Sequence, residues 1–225
     1  MHRLHLRVLP RLLVILTAML IIVRSDASTA PAEPKTLLIL GDSLSAGYGI
    51  RPQLGWVALL TGRLQDKGYG YHVVNASVSG ETTAGGLARL PHLLQLHHPD
   101  AVLVELGGND GLRGLPIEDI RENLAKITQQ TLRSGAKVIL VGIRVPANYG
   151  PQYSEQFAGL FMAIAKKEHV ACVPFLLEKI ALTDKYFQAD QLHPTEDAQP
   201  LLLDTVWPVL FRELPGSSAN TATAH

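Results

Sequence analysis

The sequence predicts an α/β domain built on a parallel sheet, and three observations predict it. Short apolar runs alternate with amphipathic stretches from Lys35 onward. The runs are continuous rather than alternating in polarity, as strands covered on both faces should be. Gly, Pro, Asn or Asp bounds them. The 225 residues, 47% hydrophobic and 18% charged, suffice for one such domain and are too few to expect two.

Five strands are predicted, over 36–40, 71–76, 101–106, 137–143 and 171–175, each rich in aliphatic or β-branched residues. Between them, 56–67, 83–97, 117–133, 154–169 and 195–212 carry apolar residues at three- and four-residue spacing with polar faces between, which predicts helices. Pro91 is expected to break or kink the second helix, and Pro200 and Pro208 to make the last irregular. Gly68, Gly70 and Gly135 stand where helices should stop. No internal repeat or linker interrupts 35–214, and the small polar tail 215–225 is expected to be disordered.

Arg3, Arg7 and Arg11 precede the apolar run 12–23, and small residues including Ala27 and Ala30 follow. A basic segment, a core of about a dozen apolar residues and a small-residue site are the parts of a secretory signal, whereas a spanning helix needs about 20 apolar residues. Residues 1–27 are read as a signal peptide cleaved near Ala27 or Ala30. That predicts a periplasmic or secreted domain without a stable membrane span; the alternative is an uncleaved anchor, against which Arg24 weighs by closing the run early. Lys and Arg together number 20, as do Asp and Glu; losing residues 1–27 removes four Arg and one Asp, leaving a mildly acidic domain of 16 basic against 19 acidic groups. No basic excess points to nucleic acid. Cys172 is the only cysteine, so no intramolecular disulfide forms, and its apolar run predicts a buried, inert thiol.

In an open α/β sheet, ligands bind beyond the carboxyl ends of the strands. Ser43 follows the first predicted strand, Ser79-Gly80-Glu81 the second and Gly107-Gly108-Asn109-Asp110 the third; Asp190 and His193 stand near the chain end. Acyl transfer needs a nucleophile, a base, a group that orients the base, and donors for the oxyanion. Ser43 supplies the hydroxyl and His193 the base. Asp190, three residues before His193, can accept from the other ring nitrogen within one local turn. The Ser43 and Gly80 N–H groups and the neutral Asn109 amide suit an oxyanion hole. Leu112, Leu115, Val145, Tyr149 and Tyr153 are candidates for an acyl-binding wall. No metal-ligand spacing occurs, so neither metal nor organic cofactor is called for. Asn75-Ala76-Ser77 fits a glycosylation sequon but falls beside the site and is discounted.

These blocks, in this order, resemble the SGNH (GDSL) hydrolase superfamily: Gly41-Asp42-Ser43-Leu44-Ser45, Gly80, Gly107-Gly108-Asn109-Asp110, and Asp190 with His193. Within it the runs 41–49, 75–91 and 105–114 resemble the periplasmic thioesterase, arylesterase and lysophospholipase group, and the likeness spans about 36–214. The resemblance implies a three-layer αβα, flavodoxin-like fold with strand order 2-1-3-4-5. It also implies linear acyl esters or thioesters as small-molecule substrates, and a loop including Gly111 and Pro116 beside the acyl site. Gln191 departs from the glycine the family often has there.

Each block alone is ordinary turn or capping chemistry; their joint occurrence beyond successive strands supports function. A carbohydrate or peptidoglycan O-deacetylase on the same scaffold, or a non-catalytic lipid-binding domain, are the alternatives. An FMN binder shares the predicted topology but is disfavoured, since no phosphate-cradling loop follows the first strand. A Gly-x-Ser-x-Gly hydrolase is also disfavoured, because Ser43 opens the domain and Asp190 and His193 are near neighbours.

Overall fold

The central strand β1 (Lys35–Gly41) is sheathed on both sides: Leu37, Leu38, Ile39 and Leu40 have no exposed surface in the computed structural model. The structure describes residues 34–214; the predicted signal segment and the tail lie outside them. Four strands join β1 in parallel: β2 (Tyr71–Asn75), β3 (Ala101–Glu105), β4 (Lys137–Val141) and β5 (Ala171–Val173). Their order is β2-β1-β3-β4-β5, with Leu38 opposite Val74 on one side and Val102 on the other. This is the expected three-layer order. Two-sided burial is why these strands read as unbroken apolar runs.

Helices α2 (Trp56–Asp66) and α7 (Gln199–Glu213) pack together, as do α3 (Thr83–His97), α5 (Ile117–Arg133) and α6 (Pro151–Glu168) in a row. Each α-layer turns its apolar stripe to the sheet: Ile120, Leu124 and Ile127 of α5 are fully buried. Two further helices, α1 (Ser43–Ala46) and α4 (Gly108–Leu112), are single turns directly after β1 and β3. They are too short for periodicity to register.

Pro91 does not break its helix. Helix α3 continues through it, with Pro91 on the exposed face while Leu90 and Leu93 face the core. Pro200 falls in the first turn of α7, where its missing N–H leaves no intrahelical bond unmade, and Pro208 lies on that helix's exposed face. Cys172, on the edge strand, is partly rather than fully buried, and desolvation pushes its thiol up to about 11. It is a poor nucleophile.

Candidate active site

Beyond the carboxyl ends of β1, β2 and β3, three loops meet a fourth that precedes α7. Asp42 caps α1, its Oδ1 accepting from Leu44 N–H at 3.0 Å, and so presents Ser43 at the start of the turn. From the far end of the chain, an isolated antiparallel bridge between Phe187 and Pro194 closes the loop that carries Asp190 and His193. Asp190 Oδ1 accepts from the N–H groups of Leu192 at 2.9 Å and His193 at 3.0 Å. Its Oδ2 lies 2.7 Å from His193 Nδ1, and His193 Nε2 lies 2.9 Å from Ser43 Oγ. With the ring proton on Nδ1, Asp190 accepts it and Ser43 donates to Nε2. The His193 N–H, then its ring, then the Leu192 N–H hold the Asp190 carboxyl down at about 2. It is therefore ionised at neutral pH.

Gly80 adopts φ +82°, a left-handed conformation that glycine takes without penalty. Its loop is fastened from beneath. Buried Asp110 accepts from Thr83 N–H at 2.9 Å and Thr83 Oγ1 at 2.6 Å, and Glu81 pairs with Arg89 at 2.7 Å. Among the described residues neither the Ser43 nor the Gly80 N–H has a hydrogen-bond acceptor. Asn109 Nδ2 donates to Glu81 O at 2.9 Å and to Asp42 Oδ2 at 3.2 Å. The longer of these bonds is the one an oxyanion would compete for.

Two buried carboxyls behind Ser43 were not singled out by motif reading. Glu105, the last residue of β3, has no exposed surface; its Oε2 accepts from Ser45 Oγ at 2.7 Å and from Asp42 N–H at 3.4 Å. Burial first, and then the charge of Asp42, push Glu105 well above the usual carboxylate range. Burial raises Asp42 to about 6, against the Leu44 N–H and the His193 charge, which favour ionisation, while Asp110 adds to the rise. A carboxylate closing an otherwise apolar core strand is the signal that could have flagged Glu105.

Ser43, Asn109 and His193 open onto a cavity of about 400 Å³ whose walls include Ile143, Val145, Pro146, Phe175 and Leu177. Of the wall candidates, Leu112 and Val145 line it. Tyr149 and Tyr153 instead border a separate depression, and their hydroxyls donate to Leu112 O at 2.6 Å and Leu115 O at 2.8 Å. They buttress the 111–116 loop from outside, which corrects their assignment as wall. Gly111 is buried beneath Val145 and Phe157, whereas Leu115 and Pro116 do not line the cavity. Phe175 and Leu177 follow β5, a strand end that motif reading had not inspected. The asparagine of the sequon, Asn75, donates to Ser45 O at 2.8 Å and accepts from Ser77 N–H.

A hydroxyl on an oriented imidazole, free N–H donors and an apolar cavity suit attack on an acyl carbonyl. Comparison with known proteins points the same way. Residues 39–199 match the model of the GDSL-like Lipase/Acylhydrolase family. The chain is 52% identical over 182 residues to "Esterase TesA" of Pseudomonas aeruginosa, covering 81% of this chain and 90% of that one. It is 47% identical over 173 residues to "Thioesterase 1/protease 1/lysophospholipase L1" of Escherichia coli strain K12, covering 77% and 82%. A crystal structure of TesA superposes with a TM-score of 0.77 at 53% identity, over 78% of this chain and 98% of that one.

Proposed function

Because the chain belongs to the GDSL-like lipase/acylhydrolase family and is an ester hydrolase of it, we propose that it cleaves carboxylic esters and thioesters of linear acyl chains through an acyl-Ser43 intermediate. The observation that carries this reading is the relay Ser43 Oγ–His193–Asp190, at 2.9 and 2.7 Å, at the mouth of an apolar cavity.

In the proposed sequence Ser43 Oγ attacks the acyl carbon while His193 Nε2 takes its proton. The imidazolium is held by the ionised Asp190, and charge on the former carbonyl oxygen is received by the N–H groups of Ser43 and Gly80 and by Asn109 Nδ2. His193 then gives its proton to the leaving alcohol or thiol as the carbonyl reforms. A water deprotonated by the same imidazole then attacks the acyl carbon, and the imidazolium returns that proton to Ser43 Oγ as its bond to the acyl group breaks and the carboxylic acid leaves. The apolar walls favour an acyl chain over an acetyl group on a sugar, which argues against the O-deacetylase alternative. The relatives named for esterase, thioesterase and lysophospholipase activity support the same substrate class. No helix among the described residues is long and apolar enough to cross a membrane. The basic and apolar N-terminal segment supports export to the periplasm or the medium.

The test is a panel of p-nitrophenyl esters and acyl-CoA thioesters run on wild type and Ser43→Ala. Loss of at least about 10³-fold in kcat is expected. A Ser43→Ala protein that kept full activity would overturn the mechanism.

A further inference from the structure

We propose that Tyr48 is a positioning residue for the general base: its ring, on a backbone that Gln188 ties to the histidine loop, lies against the His193 imidazole and favours the imidazolium. This rests on the reading of His193 as the base.

After α1 the chain turns so that the Tyr48 N–H donates to Ser43 O at 3.1 Å, tying the tyrosine to the nucleophile's own turn. Tyr48 as a residue is 53% exposed, yet its ring centroid lies 4.4 Å from that of His193, with the planes at 40°. Gln188 fixes this arrangement from the other side. Its Nε2 donates to Tyr48 O at 2.9 Å and to Pro194 O at 3.0 Å, and its backbone N–H donates to His193 O at 2.8 Å. One residue thereby joins the serine loop to the histidine loop. A Cβ on Gly49 would collide with the Gln188 side chain, so the two loops are in contact there as well.

An aromatic face carries negative quadrupole charge and attracts a cation within about 6 Å of its centroid. Neutral imidazole gains little from such a neighbour, whereas the imidazolium formed as Ser43 loses its proton gains more. Only that difference accelerates the reaction. The groups facing His193 are the Asp190 carboxylate at Nδ1, the Ser43 hydroxyl at Nε2, the Asp42 carboxyl acting from the cap of α1, and the Tyr48 ring. Of these, the ring can be removed without taking away a carboxylate or the reacting hydroxyl. The Tyr48 hydroxyl has no hydrogen-bond partner among the described residues, so the ring itself carries the effect.

The experiment compares the full chain with Tyr48→Phe and Tyr48→Leu, measuring kcat and KM against pH on a short-chain p-nitrophenyl ester. In parallel, NMR follows the His193 ring proton, identified by its disappearance in His193→Gln. Tyr48→Leu is expected to lower kcat about two- to fivefold with a smaller change in KM. It should also move the acid limb and the His193 titration to lower pH by about half a unit. Tyr48→Phe, which keeps the ring, is expected to recover the wild-type profile. An unmoved or upward-moved His193 titration in Tyr48→Leu, or a Phe variant as impaired as the Leu variant, overturns the proposal. Failure of the wild type to hydrolyse any ester would instead strike at the proposed function, and the NMR titration would still report on the Tyr48–His193 contact.

Discussion

Replacing Glu105 with glutamine changes how stability responds to pH, and the surroundings of the side chain set the slope. Its carboxyl is wholly buried, accepts from Ser45 Oγ and Asp42 N–H through Oε2, and leaves Oε1 without a partner. In the unfolded chain it titrates near its ordinary 4.5; in the fold, burial and then Asp42 raise it well above that. A raised folded pKa means that its contribution to stability is complete below about pH 4.5 and declines as the pH climbs toward the folded value. Per proton the decline is about 1.4 kcal/mol for each pH unit. Glutamine keeps an acceptor oxygen for both donors and does not titrate. Its NH₂ occupies the place of the unpartnered Oε1, at a pH-independent cost of about 1–3 kcal/mol. The stability of Glu105→Gln relative to wild type should therefore start negative near pH 4.5 and climb by about 1.4 kcal/mol per pH unit until the folded pKa is passed. Asp42 titrates in both proteins, so its effect largely cancels in the difference. Urea unfolding followed by the fluorescence of Trp56 and Trp207, at pH 5, 6 and 7, reads it directly. Two stability curves that run parallel across this range would refute the buried-acid account.

Asn109→Ala removes one of the proposed oxyanion donors and should lower kcat about a hundredfold or more with a lesser effect on KM, measured by steady-state ester hydrolysis. Asp190→Asn, which turns a hydrogen-bond acceptor for His193 Nδ1 into a group that can present a donor, should lower kcat by about 10⁴. Because Asp190 is held at about 2, it stays ionised above pH 4 and adds nothing to the acid limb there, and wild-type activity should rise with pH as His193 becomes neutral, which a pH–rate profile tests. Val145→Phe narrows the cavity and should shift the chain-length profile toward shorter acyl groups. Each methylene left unburied should lower kcat/KM about fourfold, so a profile unchanged from wild type would place the acyl chain elsewhere.

The sheet was legible because its strands are buried on both faces, so that Leu37–Leu40 and Ile139–Val141 stand out as apolar runs without help from tertiary context. The long helices were legible for the complementary reason that α5 is strongly two-faced. What escaped was structure too short to repeat: α1 and α4 span four and five residues, and of the two only α1 carries a side-chain cap, from Asp42. Pro91 misled because its effect depends on which face of α3 it occupies, and that face is set by packing. Tyr149 and Tyr153 lie close after β4 in sequence, as wall residues should. However, α6 begins at Pro151, and the rings reach out to the carbonyls of the neighbouring loop rather than into the cavity. Sequence position told which end of the sheet they occupy, not which way they point.

Gln191 shows how a departure from a family pattern is absorbed by local physics. It takes φ +59°, the left-handed conformation that a glycine would adopt freely and that costs other residues about 1 kcal/mol or more. That conformation lets the chain fold back so that both the Leu192 and His193 N–H groups reach the same Asp190 oxygen, while the Gln191 N–H donates to Gln188 O at 2.9 Å. Two charge-assisted bonds to one carboxylate outweigh strain of this size. The turn between Asp190 and His193 is thus set by the carboxylate more than by the residue between them. Gln188, which the same turn uses as an acceptor, is also the residue that reaches Tyr48. A change in the Asp190 turn would therefore alter both contacts that orient His193, the carboxylate at its edge and the aromatic ring on its face.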